Sequence, residues 1–140
     1  MRHAQWLSVS FCAIFLLCGA AQADQLKFTA DLAPGPGITS SGKGAATASL
    51  DTATKTLTWS VEYSGLSGPA TAAHIHGPAD PGADAGVVVP FTGNLASPIK
   101  GSATLTDTQI LQLEAGKWYV NIHTAANKGG EIRGQLVHAP

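Results

Sequence analysis

The chain has 140 residues, with 8 Lys+Arg against 9 Asp+Glu and a formal net charge of −1, which gives room for one domain and too little for a two-domain enzyme. Charged residues make up only 12%, against 16 Gly and 8 Pro, which excludes coiled coils and charged disordered tails and suits a turn-punctuated β protein. There is no basic cluster to provide an electrostatic footprint for nucleic acid, so neither DNA nor RNA is an expected partner.

The N-terminus reads as an address. Met1-Arg2-His3 supplies a positive start, Trp6 to Leu17 an apolar run, and Ala21-Gln22-Ala23 the small-x-small pattern that signal peptidase reads. Residues 1–23 are therefore expected to be a signal peptide, with residues 24–140 as one exported domain, periplasmic or extracellular. The apolar run is shorter than the ~20 residues a spanning helix needs, so no membrane span is expected after cleavage. Both cysteines, Cys12 and Cys18, lie inside this segment, so the expected domain has no thiol for a disulfide, a nucleophile or a thiolate metal site. Leu17 stands where a lipobox has a small residue, which argues against lipidation at Cys18.

In chain order, Leu26, Phe28, Ala30 and Leu32 alternate with Lys27, Thr29 and Asp31, the period of a half-buried strand, and Ala33-Pro34-Gly35-Pro36-Gly37 should break it. The glycines Gly35, Gly37, Gly42 and Gly44 lack phosphate-loop spacing and read as linker. Residues 44–63 read as a hairpin turning at Asp51-Thr52-Ala53-Thr54, with Leu57, Trp59, Val61 and Tyr63 on one face of its second strand. Strands are also expected at 72–77, 87–89 and 99–105. Thr106 and Gln109 stand at capping-box spacing before Ile110, Leu111 and Leu113, with Gly116 as a stop, predicting one short helix. The last pair of strands spans 118–123 and 132–137, and His138 should fray. The expected fold is all-β, an antiparallel immunoglobulin-like or Greek-key sandwich or barrel with one short helix, its core strengthened by Phe28, Trp59 and Trp118.

Three histidines carry the chemistry. His74 and His76 form a His-x-His in a strand, where residues two apart share a face with Cα atoms about 6.5–7 Å apart, so both rings can reach one metal ion. Parity puts His123 on the face opposite Val120 and Ile122, together with Tyr119 and Asn121. Three neutral imidazoles without sulfur suit copper first, with zinc or nickel as lesser alternatives. The competing reading is a His-x-His on a solvated sheet face or bonded to loop carbonyls. Glu131 and Arg133 share parity; as neighbours of the site Glu131 would orient an imidazole and Arg133 attract an anion, whereas structurally they would be an exposed pair, or Arg133 would bond loop carbonyls. Asp80 and Asp84 lack calcium-loop spacing and read as turn formers. No Gly-x-Ser-x-Gly elbow, Walker loop or pair of glycosidase carboxylates stands out, so no catalytic residue is assigned.

The blocks Ala73-His74-Ile75-His76-Gly77-Pro78-Ala79, Gly101-Ser102-Ala103-Thr104-Leu105-Thr106, Tyr119-Val120-Asn121-Ile122-His123-Thr124 and Gly129-Gly130-Glu131-Ile132-Arg133-Gly134-Gln135-Leu136 resemble, in order and separation, the chordin-type (CHRD) domain family. The resemblance spans nearly all of residues 24–140 and implies an immunoglobulin-like β-barrel in an exported protein rather than a particular reaction. More loosely, the order His74, His76, His123, Arg133 is similar to the copper/zinc superoxide dismutase sandwich, which implies copper. The segment from Gly77 to Phe91 has no histidine for a second metal and the disulfide cysteines are missing, so the similarity does not extend to dismutation. The preferred expectation is an exported copper-binding module for storage, delivery or tolerance. The alternatives are a metal-free protein-interaction or adhesion domain, whose protein partner the sequence does not name, and a redox enzyme using an open copper position.

Overall fold

Alternation dictates the first strand. In the structure, a computed structural model describing residues 24–140, β1 (Gln25–Pro34) buries Phe28, Ala30 and Leu32, with Thr29 half-buried and Asp31 exposed between them. The expected signal peptide lies outside the described residues. β2 (Lys43–Asp51) and β3 (Thr56–Ser64) form the expected hairpin, with Ala46 opposite Val61, Ala48 opposite Trp59 and Leu50 opposite Leu57, all buried. Asp51 Oδ1 accepts the backbone N–H groups of Ala53 and Thr54, which closes the turn between them.

There follow β4 (Ala70–His76), β5 (Val87–Pro90), β6 (Ile99–Thr104), α1 (Asp107–Glu114), β7 (Tyr119–Thr124), β8 (Ile132–Gln135) and β9 (Val137–His138). Neighbours run β5-β4-β7-β8-β1-β2-β3-β6, with β9 also on β1, and every pairing is antiparallel. The result is the expected all-β architecture, a nearly closed barrel-like sheet with one short helix. β1 joins its two halves, pairing with β2 from Gln25 to Leu32 and with β8 through Ala33 and Pro34. Phe28, Trp59 and Trp118 are all buried between the halves, and Phe91 stacks on Trp59 at 4.8 Å. Each large ring so buried contributes about 2 kcal/mol or more. The capping box at α1 forms as expected: Gln109 N donates to Thr106 Oγ1, and Thr106 N donates to Gln109 Oε1. Gly116, at φ +68°, then ends the helix.

Three expectations change. β1 does not stop before Ala33-Pro34; Pro34 sits at the strand end, where a missing N–H is tolerated, and pairs with Ile132. Gly44, read both as linker and as the start of the hairpin, belongs to β2, where a Cβ would run into the carbonyl oxygen of Glu62. His138 does not fray: the last strand breaks at Leu136, whose N–H donates to the Trp118 carbonyl at 2.9 Å, and then resumes as β9. There His138 pairs with Phe28 and its ring lies 4.7 Å from the Phe28 ring.

Gly134 lets β8 pass close to β1, since a Cβ there would collide with the carbonyl oxygen of Asp31. Because backbone cannot step aside as a side chain can, Gly134→Ala is expected to destabilise the protein by at least about 2 kcal/mol in chemical denaturation. A change under about 0.5 kcal/mol would show that β1 and β8 are not this close.

Candidate metal centre

β4 and β7 are adjacent and in register, with His74 opposite Asn121, His76 opposite Tyr119 and Ala72 opposite His123. Ile75, Val120 and Ile122 take the core side, so the period of two sends His74, His76 and His123 to the other side together, as expected from sequence. In the pairing of β4 with β5 the register slips by one residue between Ile75 and His76, a bulge of the kind that re-aims a side chain. The three ring centroids lie 5.0, 5.4 and 5.9 Å apart, and each residue offers a ring nitrogen within 4.8 Å of the others.

That face is covered at His76 and His123 and half-buried at His74. All six residues of β7 are buried, and His76 and His123 are only 8% and 9% exposed, because residues 78–86 and 127–130 cover them. The covering loops also fix which nitrogen of each ring is free. His76 Nδ1 donates to the Ala85 carbonyl at 2.9 Å, and His123 Nδ1 donates to the Lys128 carbonyl at 2.8 Å. A carbonyl only accepts, so both Nδ1 atoms carry a proton, and in the neutral rings both Nε2 atoms are left with the lone pair. His76 Nε2 is buried with no hydrogen-bond partner; His123 Nε2 faces His74 Nδ1 at 3.1 Å. Burial first, then the charge of the neighbouring rings, holds His74 below the ordinary histidine pKa. Burial also lowers His76, against the raising effect of its bond to Ala85, with His123 and Arg133 pushing the same way as burial and Asp84 opposing. Proton-free lone pairs meeting in a partly buried space are what a cation needs.

Glu131 and Arg133 do not sit as a pair. Glu131 precedes β8 and is completely buried, and its carboxylate accepts from Ser40 Oγ at 2.5 Å, Ser67 N at 2.9 Å, Ser67 Oγ at 2.5 Å, Thr124 Oγ1 at 2.6 Å and Asn127 Nδ2 at 3.1 Å. None of these partners is an imidazole: orienting the rings falls to the Ala85 and Lys128 carbonyls, and Glu131 instead ties three loops to β7. Burial by itself would raise the Glu131 pKa, but the hydroxyl and amide donors outweigh it and lower it to about 2. Arg133 does bond a loop carbonyl, as the structural reading anticipated: Nη2 donates to Ala83 O at 2.6 Å and Nη1 to Asp84 Oδ1 at 2.7 Å. Asp84 and Asp80 are thus ion-pair partners, of Arg133 and Lys117, beyond their place in the turn.

Two residues gain a role that the sequence did not assign. Tyr119 lies parallel to the His76 ring, 5.0 Å between centroids and 7° between planes, and receives a hydrogen bond from Ala85 N on its hydroxyl. Asn121 donates to the Gly129 carbonyl, and Gly130 must be glycine because a Cβ would overlap the Asn121 amide. The sequence clue to both was their parity with His123.

The fold and cluster define a class: an antiparallel β-barrel domain with three imidazoles converging under loops on its outer face. The CHRD domain model matches residues 21–136, and the chain belongs to the CHRD domain family. No curated protein and no solved structure matches the chain. No helix among the described residues is long and apolar enough to cross a membrane.

A carboxylate whose pKa is about 2 when folded, against an ordinary 4.5, stabilises the fold fully above pH 4.5, and that contribution fades as pH falls toward 2. Glu131→Gln is therefore expected to lower stability at pH 7 by about 2 kcal/mol. Between pH 4.5 and 2 the melting temperatures of wild type and variant should converge; parallel profiles across that window would show that Glu131 is not held in this network.

Proposed function

We propose that this domain is an exported module that binds a transition-metal ion, copper by preference, through His74 Nδ1, His76 Nε2 and His123 Nε2, for storage, delivery or tolerance. The observation that carries the proposal is the buried, unpartnered Nε2 of His76, its other nitrogen tied to Ala85 O, in a cluster whose rings each offer a nitrogen within 4.8 Å of the others. Leaving a buried acceptor unpaired costs about 1–3 kcal/mol, which a coordinated cation would remove. His74 Nδ1 and His123 Nε2 already stand at 3.1 Å, near the about 3.3 Å that two nitrogens span on a tetrahedral ion at 2.0 Å. In the metal-free protein a proton on His74 Nδ1 bridges them; coordination through Nδ1 would require His74 to exchange it for the Nε2–H tautomer, which keeps the ring neutral.

The donor set favours copper over the commoner hard cations because all three donors are neutral nitrogen, and among divalent first-row ions Cu(II) binds such donors most tightly. Three protein ligands leave a further coordination position, which suits uptake and release. Export rests on the residues from Met1 to Ala23, and the family match begins at residue 21, leaving the apolar run outside it.

Isothermal titration of the purified protein with Cu(II), and separately with Zn(II), tests the proposal. One equivalent of Cu(II) is expected to bind, more tightly than Zn(II). His74→Ala/His76→Ala should weaken Cu(II) binding by at least about a hundredfold, since two of three ligands are gone. An unaltered isotherm in that variant would remove the site, and no binding by the wild type would leave the metal-free interaction domain as the better reading.

A further inference from the structure

Resting on the metal reading above, we infer that Arg133 is a positioning residue for His76, acting through the ring of Tyr119 and the loop of residues 78–86. Its guanidinium carbon lies 3.7 Å from the centroid of the Tyr119 ring. β7 lies between β4 and β8, so His76 and Arg133 reach Tyr119 from opposite neighbouring strands, and the tyrosine ring is supported on one flank and stacks His76 on the other. The same guanidinium holds the loop at Ala83 O and Asp84 Oδ1. The next residue, Ala85, donates its N–H to the Tyr119 hydroxyl at 3.1 Å and accepts the His76 Nδ1 proton at 2.9 Å.

One side chain thus governs both supports of His76: the surface that sets its ring plane, and the carbonyl that sets its tautomer. The tautomer decides whether Nε2 has a lone pair for a metal, because the nitrogen left bare is fixed by the bond that the other one makes. Arginine is suited to this where lysine is not. The task needs a flat cation that stacks on a ring while its fork reaches a carbonyl and a carboxylate together. Asp84 is exposed, so the ion pair alone would hold little; the stack and the Ala83 carbonyl, on a side chain only 12% exposed, give the contact its rigidity.

The test pairs Arg133→Met with His76→Ala, singly and together, and follows two readouts in the full domain. The first is the tautomer of His76 in metal-free protein, from nitrogen-detected imidazole spectra; the second is the Cu(II) dissociation constant. In the wild type His76 should be a single Nδ1–H tautomer, and Arg133→Met should convert it to a mixture. The same substitution should weaken Cu(II) binding about tenfold or more with His76 present and leave it unchanged in the His76→Ala background. Arg133→Lys keeps the charge and the stem but lacks the fork, should not restore affinity, and serves the same comparison if Arg133→Met does not fold. An unmoved tautomer with unmoved affinity, or equal weakening in both backgrounds, would overturn the assignment. A wild type that takes up no Cu(II) while Arg133→Met still shifts the tautomer would end the metal reading and leave the positioning of His76 standing.

Discussion

Two backbone carbonyls decide what the three imidazoles can do. Ala85 O and Lys128 O each accept an Nδ1 proton, and by doing so they leave Nε2 as the free acceptor on His76 and on His123, where it faces His74 Nδ1 at 3.1 Å. Without those bonds the rings would be ordinary half-exposed histidines on a sheet, free to choose tautomer and rotamer. With them, the tautomers of His76 and His123 are set by the protein itself. The strands set which rings meet; the loops set which atoms do.

The stability of those loops is therefore part of the site's chemistry. Residues 127–130 are anchored through Asn127 to the buried Glu131 carboxylate and through Gly129 to Asn121. Residues 78–86 are anchored by Lys117 on Asp80, Arg133 on Ala83 and Asp84, Gln135 on Ala79 and the Gly77 N–H on Gly86 O. Glu131 and Arg133 divide the work: the first fixes the turn beside His123, the second the turn beside His76. That division explains why Glu131, for which orienting an imidazole was one of two readings, bonds no imidazole.

The barrel was legible in the sequence wherever one face met the core and the other met water, because burial then writes a period of two, as in Leu26 to Leu32 and Leu57 to Tyr63. Thr106 and Gln109 announced the helix because a capping box is a local interaction. The grouping of His74, His76 and His123 was legible for the same reason of parity. What parity could not show was that this face of β4 and β7 is covered, since that depends on loops closing over it, at Ala85, 9 residues after His76, and at Lys128, 5 residues after His123. Glu131 looked like a surface residue because nothing near it in sequence reveals Ser40 and Ser67, which are 91 and 64 positions distant. The pairing of β9 with β1 was missed likewise: two residues carry no periodicity.

The central claim, that one ion is shared by these three rings, is tested most directly by electron paramagnetic resonance of the protein loaded with one equivalent of Cu(II). Hyperfine coupling to three imidazole nitrogens is expected, with one nitrogen lost on His123→Ala. A spectrum that His123→Ala leaves unchanged would contradict the account.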